Sequence, residues 1–314
     1  MNLQDKIEKS SPVQKILQRA KTTSLPGFDN EPIYNVVKFF ILEIRKGSIT
    51  IQSKAVAFTF FLALFPSIIF VFTLIPYLPI SGLQDHILMV LLEFLPNDVY
   101  SFLDQTIIDI LSKRKGGLLS AGLFAAFMLS TNAMMGVMDT FDRASGTIRT
   151  RKGYQQRGIA FMLTVIVFAL LVMSLLLIVS GNILLKVILD QFHILNAFNF
   201  IFFSTLKWMA IIVLFFSAVS AIYHFGPSLK QKWSITSAGS TLATFLIIAI
   251  SIGFSFFVDN FGRFNEIYGS LGVVIALQIF IYLNSFALLI GYELNISIRN
   301  AKENHTEEEI REEV

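Results

Sequence analysis

Between Leu271 and Gly291 the chain carries almost no strongly polar side chain. At about 1.5 Å of rise per residue, a helix of that length spans roughly the 30 Å hydrocarbon core of a bilayer. Lipid cannot hydrogen-bond backbone amides, so a chain with several such runs has to cross the membrane as helices. Five further runs of this kind precede it. The fold class is therefore all-α: a polytopic membrane protein with six transmembrane helices, an N-terminal amphipathic helix and a helical extracytoplasmic loop.

Composition agrees. The 314 residues are 54% hydrophobic and 15% charged, whereas soluble domains carry about 25% charged residues. There is no cysteine, which excludes disulfides, thiolate metal sites and a Cys nucleophile. The first 30 residues are polar and mixed in charge, so no cleavable signal peptide is visible. The first span is expected to act as its own insertion signal.

Residues 1–54 read as a cytoplasmic lead. Its first part is expected to be flexible, broken by Pro12, Pro26 and Gly27. Ile33, Val36, Val37, Phe40, Ile41 and Ile44 then recur at helical spacing among charged residues, predicting an amphipathic helix in the inner interface that Gly47 ends. Residues 55–296 form the membrane domain, with spans near 55–78, 118–138, 158–180, 203–223, 238–258 and 271–291. Pro66 removes a backbone hydrogen bond in the middle of span one and is a candidate hinge. The loop 79–117 carries two apolar stripes, read as amphipathic helices on the outer face. Gly239 and Ala243 in span five, and Ala121, Gly122, Ala125 and Ala126 in span two, allow close helix packing. Residues 297–314 form an acidic cytoplasmic tail, frayed or a short exposed helix.

Lys and Arg set the orientation. With both termini cytoplasmic, inner segments hold 19 of the 25 and outer loops 5, with Lys207 at a span edge. Lys207-Trp208 itself reads as an interfacial anchor.

Several stretches together resemble the YihY/BrkB family of bacterial inner-membrane proteins. They are Lys54-Ala55-Val56-Ala57-Phe58 through Leu64-Phe65-Pro66, the Ser130–Gly146 stretch with Phe141-Asp142-Arg143-Ala144, Tyr268-Gly269-Ser270-Leu271-Gly272, and Gly291-Tyr292-Glu293-Leu294-Asn295. The resemblance covers roughly 33–298 and implies six spans in the cytoplasmic membrane. One departure is visible: Phe58, Thr59 and Phe60 stand where the family often has tyrosines. Family members carry the labels virulence factor and ribonuclease.

A ribonuclease needs acid–base groups or a metal cluster, plus a basic path for phosphates. His86, His193, His224 and His305 fall two outside and two inside on this topology, so no three can converge. The basic loop 139–157 follows from the positive-inside rule alone. No Gly-x-x-x-x-Gly-Lys-Ser/Thr loop occurs. The chain is expected to be no enzyme and to need no cofactor or metal.

What remains are polar groups at membrane depth, which are functional candidates by default. Asn132 and Asn284 lie at matching depth in spans two and six, and Asp139 and Glu293 match again near the inner boundary. One reading is a polar cavity opening inward, lined by these four with Arg143 or Arg157 as counter-charge. Gln278, Tyr282 and Ser285 form one stripe that faces either such a cavity or a neighbouring helix. The other reading is that the asparagines bond helices together and the acids sit solvated at helix ends. Two function classes follow: a transporter or lipid- and amphiphile-handling protein, or a non-catalytic envelope scaffold. The partners expected are membrane lipids and an amphiphilic substrate, not nucleic acid, with homo-oligomers left open.

Overall fold

The computed structural model describes residues 18–45, 48–77, 114–145, 151–191, 197–229, 234, 236–259 and 271–313. The helices expected within the outer loop 79–117 fall outside these residues up to position 113, as does Gly47. Seven long helices carry the fold. They are α1 (Ile33–Arg45), α2 (Ser48–Leu74, closed by a 3-10 turn at Ile75–Tyr77), α3 (Gly116–Ala144), α4 (Gly153–Gln191), α5 (Ala197–Phe225), α6 (Ala238–Asp259) and α7 (Leu271–Glu313). Among the described residues no strand occurs, and six helices, α2 to α7, are long and apolar enough to cross a membrane.

These six close a ring. Each spanning helix packs on the next in chain order, and α7 returns to pack on α2. The closest approaches use missing side chains. A methyl group on Gly122 of α3 would stand 3.2 Å from the Phe70 backbone nitrogen of α2. Gly239 of α6 and Gly291 of α7 face each other so closely that either Cβ would strike the other's carbonyl oxygen. Small residues let backbones meet in this way where lipid supplies no hydrophobic drive between helices.

The packed core lies toward one end of the ring, the end that the Lys and Arg placement expects to be cytoplasmic and that is called inner below for that reason. Ile49 and Val56 of α2, Met138 and Phe141 of α3, Leu163 of α4, Tyr223 of α5, Ala243 of α6 and Leu289 and Tyr292 of α7 join one buried cluster. Large apolar side chains elsewhere, such as Phe65, Phe124, Phe245 and Phe256, stay exposed. In a bilayer these meet lipid, which is as apolar as they are.

Two expectations about the ends change. The segment before α1 is partly ordered: Phe28 is buried with Val36, Ile298 and Ala301, and its amide donates to the Leu25 carbonyl. Gly27 holds φ +87° beside Ala238. The helix of the last span continues past residue 296, running unbroken to Glu313. The reason is the same in both cases. Ile298 and Ala301 continue the apolar stripe of α7 beyond the membrane and give α1 a surface to cover. The amphipathic helix α1 thus buries Val36 against protein.

Candidate functional site at the inner helix ends

The inner ends of the spans are tied to one another by polar side chains that take up unpaired helix-end groups. On α3, Asp142 is buried and its carboxylate accepts from the Ser228 amide (2.8 Å) and hydroxyl (3.0 Å), just past the end of α5. Arg151, ahead of α4, donates through Nη1 to the carbonyls of Phe225 (3.1 Å) and Gly226 (2.9 Å). A guanidinium there caps free carbonyls and complements the negative end of the α5 dipole. Arg299 of α7 does the same for α3, donating to the Ser145 carbonyl at 3.0 Å.

At the start of α6, Ser237 is the N-cap, its hydroxyl accepting from the Ser240 amide at 3.1 Å. Asn295 of α7 completes that cap across the interface. Its Oδ1 accepts from the Gly239 amide at 2.8 Å, and its Nδ2 donates to Ser237 Oγ at 3.0 Å. Beneath these bonds Phe141 stacks on Tyr292 with ring centroids 3.9 Å apart, and Tyr223 meets both edge-on. The Tyr223 hydroxyl donates to the Leu288 carbonyl. The three rings are essentially fully buried and packed against one another, at the end of the ring where the sequence suggested an inward-opening cavity.

The candidate residues fall in different settings. Asn132 is exposed. It shares an i, i+4, i+8 stripe with the exposed Phe124 and Met128, opposite the buried Ala126, Ala133, Val137 and Phe141, and so faces lipid and not the core. Asn284 is half-buried and donates to the Phe280 carbonyl of its own helix at 2.8 Å. Asp139 accepts from Gln156 Nε2 of α4 at 2.6 Å. Arg143 and Arg157 are exposed. Glu293 is buried, one residue from the Phe141–Tyr292 stack. Gln278 is half-buried, and Ser285, on its stripe, is buried. Pro66 lies within α2, and Ser67 Oγ donates to the Ala63 carbonyl beside it at 2.7 Å.

A second set was not singled out from sequence. In most spanning helices the Ser and Thr hydroxyls turn back on the carbonyl three or four residues earlier, as at Ser53, Thr140 and Thr164. Thr131 of α3, Ser220 of α5 and Thr244 of α6 do not. Their buried hydroxyls, and the buried Oε1 of Gln278 on α7, make no hydrogen bond. Thr131 and Gln278 lie about 20 Å along their helices from Ala144 and Gly291, and Ser220 and Thr244 about 8 Å from the inner helix ends. Four spans thus each bury an unanswered polar oxygen.

With this geometry in place, relatives can be compared. A family model described as Virulence factor BrkB matches residues 41–313. The chain belongs to that family. The chain is also similar to the ribonuclease-like protein YfkH of Bacillus subtilis, 29% identical over 251 residues, covering 80% of this chain and 90% of YfkH. The UPF0761 membrane protein PBPRA3489 of Photobacterium profundum is 27% identical over 267 residues, covering 83% and 79% of the two chains. No solved structure matches. The stretches on which the resemblance rested hold much of the inner lock: Phe141 and Asp142 in one, Gly291, Tyr292 and Asn295 in another. Among the described residues no three His, Asp or Glu side chains gather as a metal-ligating group.

Proposed function

We propose that this membrane protein handles an amphiphilic substrate, moving it along a polar seam inside the helix ring above the inner lock. The observation that supports this is the set of buried oxygens at Thr131, Ser220, Thr244 and Gln278 that make no hydrogen bond. A buried polar atom without a partner costs about 1–3 kcal/mol, and four of them on four spans are a cost that water or a polar headgroup would remove. A substrate with an apolar part suits the same interior, because the surrounding side chains are otherwise hydrocarbon and aromatic. The scarcity of charge there disfavours a dedicated path for small ions.

The test uses the absence of cysteine. Single cysteines at Ser220, Thr244 and Ser285, with Leu163 in the packed core as control, are treated with a small water-soluble thiol reagent in intact membranes. Labelling at the first three positions and not at Leu163 is the expected result. In parallel, protein in vesicles is assayed for movement of a fluorescent phospholipid between leaflets, with and without Thr244→Val. If the three positions stay as dark as Leu163 and the lipid does not move faster than in empty vesicles, the seam is not a route. The scaffold reading then takes its place.

A further inference from the structure

The lipid-facing side of α4 carries a groove of about 510 Å³ lined by Arg151, Gln155, Gly158, Ile159 and Met162. It faces away from the buried residues of the same helix, Gln156, Ala160 and Leu163. We propose that this groove binds an anionic phospholipid of the inner leaflet. Its phosphate would sit on Arg151 and Gln155, and an acyl chain would lie along Gly158, Ile159 and Met162.

Three features on the page support this. Arg151 is held in place, because Nη1 bonds the Phe225 and Gly226 carbonyls. Its Nε and Nη2 donors remain, aligned as a fork of the kind that matches phosphate oxygens. Second, the groove grades from polar to apolar in the direction that a lipid does. Arg151 and Gln155 stand at the inner boundary, and Ile159 and Met162 lie one and two turns deeper. Third, Gly158 is the floor: a Cβ there would meet nothing within 4 Å, so its backbone leaves room that any other residue would occupy. Exposed Lys152 and Tyr154 flank the mouth, a cation and an amphipathic ring of the kind that belong at headgroup level. Basic pockets on the inner side of membrane helices are the expected receptors for anionic headgroups. This proposal concerns the outer wall of the ring and stands whether or not the interior seam carries substrate.

The test titrates the purified full chain in detergent with phosphatidylglycerol or phosphatidylcholine and counts bound lipids by native mass spectrometry. Phosphatidylglycerol should bind about fivefold more tightly, the factor that one cationic side chain near an anionic surface contributes. Gly158→Leu fills the groove without touching a charge, and Arg151→Gln removes the charge; each should bring the ratio close to one. Gln155→Glu, a surface change, should do so by repulsion, which keeps the test open if Arg151→Gln fails to fold. Excess inorganic phosphate should not compete, since it lacks the acyl chain. Equal binding of the two lipids, an unchanged ratio in Gly158→Leu, or full displacement by inorganic phosphate would each overturn the proposal.

Discussion

The Gly239–Gly291 crossing gives the sharpest handle on whether α6 and α7 meet as described. A methyl group at Gly239 would lie 2.6 Å from Asn295 Oδ1 and closer still to the Gly291 carbonyl. Neither atom is the free end of a flexible chain, so the helices must separate. Overpacking of that kind costs about 1–3 kcal/mol. Separation also loosens the 2.8 Å bond from the Gly239 amide to Asn295, leaving buried groups unpaired at about 1–3 kcal/mol more. Alanine's better helix propensity returns about 1 kcal/mol. The net loss expected for Gly239→Ala is about 1–5 kcal/mol, or roughly 2–8 °C in thermal unfolding of the detergent-solubilised protein. The control lies on the same helix. Gly253 is exposed with open space around its Cβ position, so Gly253→Ala should leave Tm unchanged or raise it. Gly291→Ala should resemble Gly239→Ala, and the double variant should lose less than both losses added, because one separation makes room for both methyls. A Gly239→Ala protein that melts within about 1 °C of the parent, a shift well under 1 kcal/mol, would show that the two backbones do not approach this closely.

Other substitutions probe the same end of the molecule. Asp142→Ala removes both bonds to Ser228; charge-assisted bonds are worth about 1.5–3 kcal/mol. The Tm of the solubilised protein should therefore fall by a few degrees, and an unchanged Tm would show that Asp142 does not hold Ser228. Asn295→Asp keeps the acceptor for the Gly239 amide but loses the donor to Ser237 and buries a charge. It should destabilise by at least as much as Asn295→Ala, which calorimetry on the two variants would check. Tyr223→Phe loses one hydrogen bond to the Leu288 carbonyl while keeping the ring contacts, so a loss of about 1 kcal/mol is expected. A loss several times larger would mean that the hydroxyl does more than bond α7.

The six spans were legible because apolar length is set by the bilayer and hardly depends on tertiary context. Gly239 and Ala243 were legible as a contact for a related reason: small residues at helical spacing have few other uses in a span. The site residues were harder. Depth can be counted along a helix, so Asn132 and Asn284 were matched in height, but rotation about the axis cannot be counted. Asn132 lies on the stripe of Phe124 and Met128, facing lipid; a helical-wheel comparison with Ala126, Ala133 and Val137 would have warned of this. Asp142 was passed over because it sits beside Arg143 in a basic stretch, where an acid looks like surface pairing. Its role depends on the chain returning at Ser228, a contact spanning 86 positions. Arg151 was counted only as a vote for orientation, although its caps on Phe225 and Gly226 are equally a matter of the fold. The length of the helix beyond the last span was not legible, because charge after Arg299 looks like tail, while Ile298 and Ala301 pack with Val36 of α1.

The distribution of these bonds constrains how the protein could move. Opening at this end of the ring would have to part the Phe141–Tyr292 stack and release Tyr223 from Leu288, and with them the ties at Asp142, Arg151 and Asn295. Even at about 1 kcal/mol net for each bond, losing them together approaches the roughly 5.5 kcal/mol needed to invert a 1:99 population. A single amphiphile bound through hydroxyl contacts would not supply that alone. Motion that leaves the lock intact needs far less energy, and the structure has the parts for it above the lock. Pro66 interrupts the hydrogen-bond ladder of α2, and Gly122 packs against Phe70 one turn further on. The unanswered oxygen of Thr131 lies near the middle of α3 and that of Gln278 two turns into α7, where separating helices would expose polar atoms that have no internal bonds to lose. On the function proposed above, a substrate would pass most readily between the lipid and the seam, with the inner end as the fixed base against which α2 would bend.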